Sequence, residues 1–439
     1  MIYFVLVLGL MLRLISLNQS LWLDEATTAI VVRMPLTDFF TKFMPADFHP
    51  PLYYLVIHYW SLIFGTSEIA LRIPSIIFGV LTIYTVFLIA KEIKSVHANA
   101  IKWPVVPALF LATSGLHIYY SQEARMYAMA TFLVTYLIYL FLKEKWILFS
   151  ILLPILFLTD YVSILILPVL LIYKQSLISS KQSLPLRGKL VYSTIPLAIT
   201  FVAWFPFLSK QLTAGMLIKD SAWWNILGPV TLKNVALIPT KFMIGRVSFD
   251  NKALYALIII IISAIFIYVI GKAKNRLNWY WFGLSLLLGI ILSFFIPTLT
   301  YFRYLFVLPA FYLLLAESKS KLFIAIILIV NLLSSGFYLF DSRFQREDWR
   351  GIANTIGNKK IVFPVNSQKE ALIYYKKDGQ IISKEDITKD NNTIWLSRYV
   401  WEVFDPQDTA RKYIEGLGYN KVLEANYNGV VFFKYAYRN

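Results

Sequence analysis

Asp24 and Glu25 stand side by side just after an apolar-aromatic step, Leu21-Trp22-Leu23. Carboxylates at such a boundary lose solvation and need partners or a task. The pair reads either as a solvated acid or cap for a helix over Ala26 to Val32, or as a general base. In the second reading a carboxylate takes the proton of a sugar or protein hydroxyl while that oxygen attacks an anomeric carbon. Adjacent side chains cannot face one point, so we assign the base role to Asp24, with Glu25 beside it in the catalytic pair.

Three arginines, Arg72, Arg125 and Arg303, fall at the outer ends of apolar stretches. Each is either an interfacial or ion-paired side chain, for instance Arg72 with Glu68 at i, i+4, or a charge-assisted ligand for a phosphate. His49 precedes Pro50-Pro51, which hold it in an extended approach. It reads as a packing residue or as a group touching substrate. The run Tyr119 to Tyr127 is a second polar-aromatic cluster, in which Glu123, Arg125 and Tyr127 join the donor-binding candidates; an ionisable pair at that depth needs a reason. Trp223-Trp224-Asn225, in a long loop over 209–251, reads as belt tryptophans or a sugar-stacking platform.

These residues must be carried by a membrane bundle. Of 439 residues, 58% are hydrophobic, 17% aromatic and 15% charged. The net charge of +17 comes from short basic stretches between apolar runs, with no basic face, so a nucleic-acid partner is not expected. The absence of cysteine excludes disulfides, thiolate catalysis and zinc-cysteine sites. Met1 to Leu17 lacks a basic n-region and a small-residue cleavage site, and reads as a retained first span.

About 20 apolar residues cross a bilayer as helix. Eleven candidate spans lie near 1–18, 71–91, 103–120, 126–142, 146–159, 161–173, 190–208, 252–271, 278–296, 302–316 and 321–340. Pro51 to Phe64 is too short to cross and carries Tyr53, Tyr54, Tyr59 and Trp60, so it is expected to lie flat at the interface. Five basic loops then fall on the cytoplasmic side, and the acidic first loop, about 19–70, falls outside. In that loop Leu36, Phe39, Phe40, Phe43 and Met44 mark one face of a second surface helix, with Thr37 at its start.

The expected fold class is therefore mainly α: a polytopic membrane protein with a catalytic domain over 1–340 and a small extracytoplasmic α/β domain over 341–439. In the tail, strands are expected at Ile361 to Val365, Ala371 to Tyr375, Ile394 to Val400 and Val430 to Tyr435, with helices at Trp349 to Ile356 and Asp408 to Leu417.

Four ordered motifs resemble one superfamily: Ser20 to Ala26, Asp47 to Tyr54, Glu68 to Ser75 and Ser121 to Tyr127. They resemble the GT-C membrane glycosyltransferases. The nearest likeness is to protein O-mannosyltransferase-like (family 39-like) and Rgt-type bacterial sugar transferases, with the aminoarabinose transferases of lipid A more distant. Tyr301 to Tyr304 and Glu347 to Gly351 extend the likeness. It implies a GT-C fold in the cell membrane and an inverting transfer from a polyprenyl-phosphate sugar to a glycan, lipid or protein acceptor. The base would be Asp24, and Arg72 would lie near the donor phosphate. The aminoarabinose transferases carry an Asp after the third span where Glu123 and Arg125 stand here. With no Asp-x-Asp pair in the loop, no cofactor or essential metal is expected, while a cation on Asp24 or Glu25 stays open.

Two rivals remain. A flippase-type transporter would place ionisable groups at mid-span on broken helices. A polymerase or ligase of lipid-linked oligosaccharide would use a pyrophosphate donor.

Overall fold

A computed structural model describes residues 1–96, 101–176, 184–217, 224, 229–364, 368–388 and 392–437. Trp223 and Asn225 lie outside this set. The chain is a mainly α, polytopic membrane protein with a small β-containing C-terminal region. It divides into two compact units. The first comprises Met1–Leu17, Leu36–Tyr59 and Arg72–Phe340; the second comprises Asn18–Pro35, Trp60–Leu71 and Asp341–Asn439. Two pieces of the first loop thus fold with the tail.

In the first unit each of the eleven apolar stretches is helical, several of them broken into shorter pieces. Among the described residues four helices are long and apolar enough to span a bilayer: Glu68–Lys94, Gly188–Met216, Lys252–Gly271 and Lys321–Phe340. Length alone does not establish eleven crossings.

The break between helices Val105–Thr113 and Gly115–Ser121 shows how the bundle manages its polar groups. The last carbonyls of helix Val105–Thr113 lie beyond the reach of its own regular i to i+4 ladder. Arg13, fully buried on helix Ile2–Leu14, donates to the carbonyls of Ala112 (3.2 Å), Leu111 (3.4 Å) and Gly9 (2.7 Å). Its Nη2 also lies 2.6 Å from His117 Nδ1. A cation is favoured at a helix C-terminus, so this arginine closes the break.

Two expectations for this unit are corrected. The stretch 209–251, read as a loop, contains the helix Leu232–Ile244, capped by Thr231 and ended by Gly245 at φ +63°. The apolar face over 36–44 is present, but its helix already begins at Leu36 and winds into a π-turn over Phe39–Phe43. Thr37 therefore sits within the first turn, where its carbonyl accepts from the Thr41 hydroxyl at 2.7 Å.

The second unit is built on a five-stranded sheet: β1 (Lys360–Val362), β2 (Ile381–Ile382), β3 (Thr393–Ser397), β4 (Tyr419–Tyr427) and β5 (Val430–Tyr437), in the order β2-β1-β3-β5-β4. β1 runs parallel to β2 and β3, while β5 is antiparallel to β3 and β4. Val362, Ile394, Leu396 and Tyr435 from the sheet pack with Ala410 and Ile414 of the helix Thr409–Gly416. Asn428 and Gly429, at φ +51° and +92°, form the tight hairpin between β4 and β5.

Ala371 to Tyr375, expected as a strand, is instead a helical turn over Glu370–Tyr374. Successive side chains of a strand point to opposite faces, whereas on a helix they lie about 100° apart. The helical turn lets Tyr374 donate to the Thr66 carbonyl (2.9 Å) and Tyr375 bond Ser20 (3.1 Å) and the Leu21 amide (2.9 Å).

Candidate active site

The second unit holds the acid pair. Helix Leu23–Val31 begins directly after Trp22 and carries Asp24 and Glu25 in its first turn, where negative charge suits the helix N-terminus. The two carboxylates have different surroundings. Asp24 is half-buried; Glu25 is fully buried, with Arg346 Nε at 3.8 Å and that side chain equally buried. The structure thus gives Glu25 an ion-pair partner and leaves Asp24 the more accessible acid. Among the described residues the indole N–H of Trp22 makes no hydrogen bond, leaving a donor beside Asp24.

The segment leading into this helix is clamped from the tail. Ser20 Oγ accepts from the Arg350 amide at 3.0 Å, and Arg350 Nη2 donates to the Asn18 carbonyl at 2.9 Å. Glu68 is ion-paired with Arg350 at 3.3 Å and accepts from the Tyr375 hydroxyl at 3.1 Å. Gly351 is required here, because a Cβ would sit 2.2 Å from Asp348 Oδ2, the oxygen beside the one that caps helix Trp349–Ile356. Arg346→Ala leaves the buried Glu25 without this partner and is expected to lower stability by about 3–5 kcal/mol, read as thermal unfolding in detergent.

The first unit holds the cations. Arg72 is fully buried and donates to the Leu17 carbonyl at 2.8 Å, so it is not a snorkelling side chain. Arg125 is also buried; its Nη1 donates to the Tyr54 hydroxyl at 3.2 Å, and its Nη2 lies 3.2 Å from His49 Nε2. On its other side His49 Nδ1 is 3.2 Å from Asp47 Oδ1. The loop carrying Asp47 and His49 is pinned by Gln211, whose amide donates to the carbonyls of Met44 (3.0 Å) and His49 (3.1 Å). Tyr161 donates to the Gln211 carbonyl at 2.6 Å.

Burial, then the positive field of Arg125 and Arg303, holds the His49 pKa below its ordinary 6.5, against the pull of Asp47. Burial pushes Asp47 up, but His49, Arg125 and the Tyr54 hydroxyl outweigh it and hold the carboxyl below its ordinary range. At neutral pH the cluster is therefore a carboxylate, a neutral imidazole and a guanidinium. Between its depressed pKa and 6.5, His49 is protonated in the unfolded chain and not in the folded one. Its contribution to stability is thus complete above pH 6.5 and declines on acidification below it. His49→Asn is expected to reduce the loss of melting temperature seen between pH 7 and pH 5.

A third group gathers around a residue that the sequence reading passed over. Gly245, in a left-handed conformation that a Cβ would strain, turns the chain after helix Leu232–Ile244. Arg246 follows, hydrogen-bonded to the Tyr119 hydroxyl and with its guanidinium carbon 4.3 Å from the centre of the Tyr119 ring. Tyr301, Tyr120 and Glu123 also act on its charge, yet Arg246 remains solvent-accessible. The Tyr127 ring packs edge-on to Tyr120, centroids 5.5 Å apart, and tilted against Phe302 at 5.1 Å. Glu123 is buried and lies within the electrostatic reach of Arg246. The result is one accessible cation framed by tyrosines, an arrangement suited to an anion with an adjoining sugar. Among the described residues no group of three or more His, Asp or Glu is placed to hold a metal ion.

The first unit thus brings together His49, Asp47 and Arg125, with Arg303 acting on His49 through its charge, and sets Glu123 near Arg246, while Tyr127 packs on Tyr120. Asp24 and Glu25 belong to the second unit.

Comparison with known proteins gives the fold. Residues 48–209, which include His49, Arg72, Glu123, Arg125 and Tyr127, match the family described as dolichyl-phosphate-mannose-protein mannosyltransferase. Curated protein sequences give no match. The oligosaccharyltransferase AglB of Archaeoglobus fulgidus, solved with an inhibitory peptide and a dolichol-phosphate, superposes with a TM-score of 0.53 at 13% identity, over 100% of this chain and 74% of that one. Its apo form gives 0.51 at 12% identity, with the same coverage. ArnT of Cupriavidus metallidurans in the apo state gives 0.47 at 13% identity, over 98% and 96% of the two chains. The chain shares its fold with the archaeal oligosaccharyltransferase AglB.

Proposed function

We propose that this protein is an inverting glycosyltransferase that moves a sugar from a polyprenyl-phosphate carrier to a hydroxyl of an extracytoplasmic glycan, lipid or protein. The carrying observation is the accessible Arg246 stacked on Tyr119 and framed by Tyr120 and Tyr301, a site for a phosphate joined to a sugar. The dolichol-phosphate in the archaeal structure supports a lipid monophosphate as the donor class.

In this reading the acceptor oxygen forms a bond to C1 as the bond from C1 to the phosphate oxygen breaks, which inverts the anomeric configuration. Asp24 takes the acceptor proton, with Glu25 as its buried neighbour. Arg246, Arg125, Arg303 and Arg72 offset charge on the departing lipid phosphate, while His49, Glu123 and Tyr127 shape the donor site. The chain crosses the cell membrane eleven times, with the reaction and the tail domain outside.

The test supplies purified protein with a panel of polyprenyl-phosphate and polyprenyl-pyrophosphate sugars and cell-envelope extract as acceptor, and measures free lipid phosphate. Release of polyprenyl monophosphate with an inverted anomeric linkage is the expected result. Release only from pyrophosphate donors would support the polymerase or ligase reading, and release from none would discard the transferase reading.

A further inference from the structure

An apolar cavity lies in the first unit, apart from the residues assigned above. Helices Leu232–Ile244 and Lys252–Gly271, together with the segment Trp279–Ile290 and Phe311, enclose a cavity of about 500 Å³. Its walls are apolar: Ile238, Met243, Phe266, Ile270, Phe282 and Phe311. The volume lies within the ~300–1,000 Å³ of ligand pockets. Ile267, also on the wall, is 70% exposed, so the cavity opens sideways onto a lipid-facing surface. Water in such a crevice would lack hydrogen-bond partners, whereas hydrocarbon fits it.

Charge marks one end. Gly271 and Trp279 line the cavity, and the turn between them carries Lys272, Lys274 and Arg276, all exposed. The indole N–H of Trp279 donates to the Ala273 carbonyl at 3.0 Å, folding this turn over the cavity's end. Glu317 accepts from the backbone amides of Lys274 (2.6 Å) and Asn275 (3.2 Å), which brings the exposed Lys319 and Lys321 alongside. Five cations therefore meet one carboxylate, and that carboxylate is occupied by backbone donors.

We propose that this cavity and its basic rim bind one anionic phospholipid, an acyl chain in the crevice and the phosphate on Lys272, Lys274 and Arg276. The juxtaposition of an apolar lateral crevice with a concentrated positive rim selects a bilayer lipid of negative headgroup over a neutral one. This site is independent of the transferase reading.

The full-length protein, stripped of lipid in detergent, is titrated with phosphatidylglycerol or phosphatidylcholine, and retained lipid is counted by intact-complex mass spectrometry. One phosphatidylglycerol per chain should be retained with at least about tenfold preference. Lys272→Gln/Lys274→Gln/Arg276→Gln, confined to an exposed turn, should remove the preference without altering the melting temperature of the lipid-free protein. Ser263→Phe, which fills the crevice, should reduce retention of both lipids. Equal retention of the two lipids by wild type, or a preference that survives the triple substitution, overturns the proposal. Unchanged retention by a folded Ser263→Phe protein overturns the crevice as the chain's site.

Discussion

Asp24→Asn is expected to lower transfer from a polyprenyl-phosphate sugar by roughly a hundredfold or more, with the melting temperature unchanged. The amide keeps the size and the half-buried position on the first turn of helix Leu23–Val31, but it cannot accept the acceptor proton. Donor affinity should be preserved, because the loss falls on the chemical step, so the change appears in kcat with little change in KM. Glu25 supplies the contrast. It is fully buried against Arg346, so Glu25→Gln should lower stability as well as activity. Full activity in a normally folded Asp24→Asn protein would remove Asp24 from the mechanism.

The positions of helices were legible where an apolar run had length and clear ends, and Trp349–Ile356 falls on the segment expected from its pattern. Reading failed where side-chain partners outrank local pattern. Ala371 to Tyr375 is an apolar run of strand length, yet Tyr374 and Tyr375 need a helical turn to reach Thr66 and Ser20. β4 escaped because most of its residues are exposed, with no alternation to mark a buried face, although Asn428-Gly429 was a visible hairpin signal. For the candidate site, the sequence singled out residues at the ends of long apolar spans. Arg13 was passed over because it lies inside an apolar helix, and only the fold shows the carbonyls of Leu111 and Ala112 that it serves. Arg246 was missed for a related reason. Its stretch read as a loop, so the outer-end pattern that singled out Arg72, Arg125 and Arg303 was not extended to it.

Arg246→Ala should therefore be the most informative substitution in the first unit. If the guanidinium holds the lipid phosphate as the sugar departs, removing it withdraws a charge-assisted donor from developing negative charge. Losses for such a donor run to about 10²–10³ in turnover. Arg246→Lys keeps the charge but loses the planar fork that lies over the Tyr119 ring, so it should recover only part of the activity. Tyr119→Phe removes the hydroxyl partner and keeps the ring, and should fall between wild type and the alanine variant. Product inhibition by free polyprenyl phosphate separates this role from simple loss of structure: the inhibition constant should rise in Arg246→Ala and stay near wild type in Asp24→Asn. If Arg246→Ala binds polyprenyl phosphate as tightly as wild type, the phosphate belongs elsewhere. Arg125 and Arg303, flanking the neutral His49, would then be the cations to replace next.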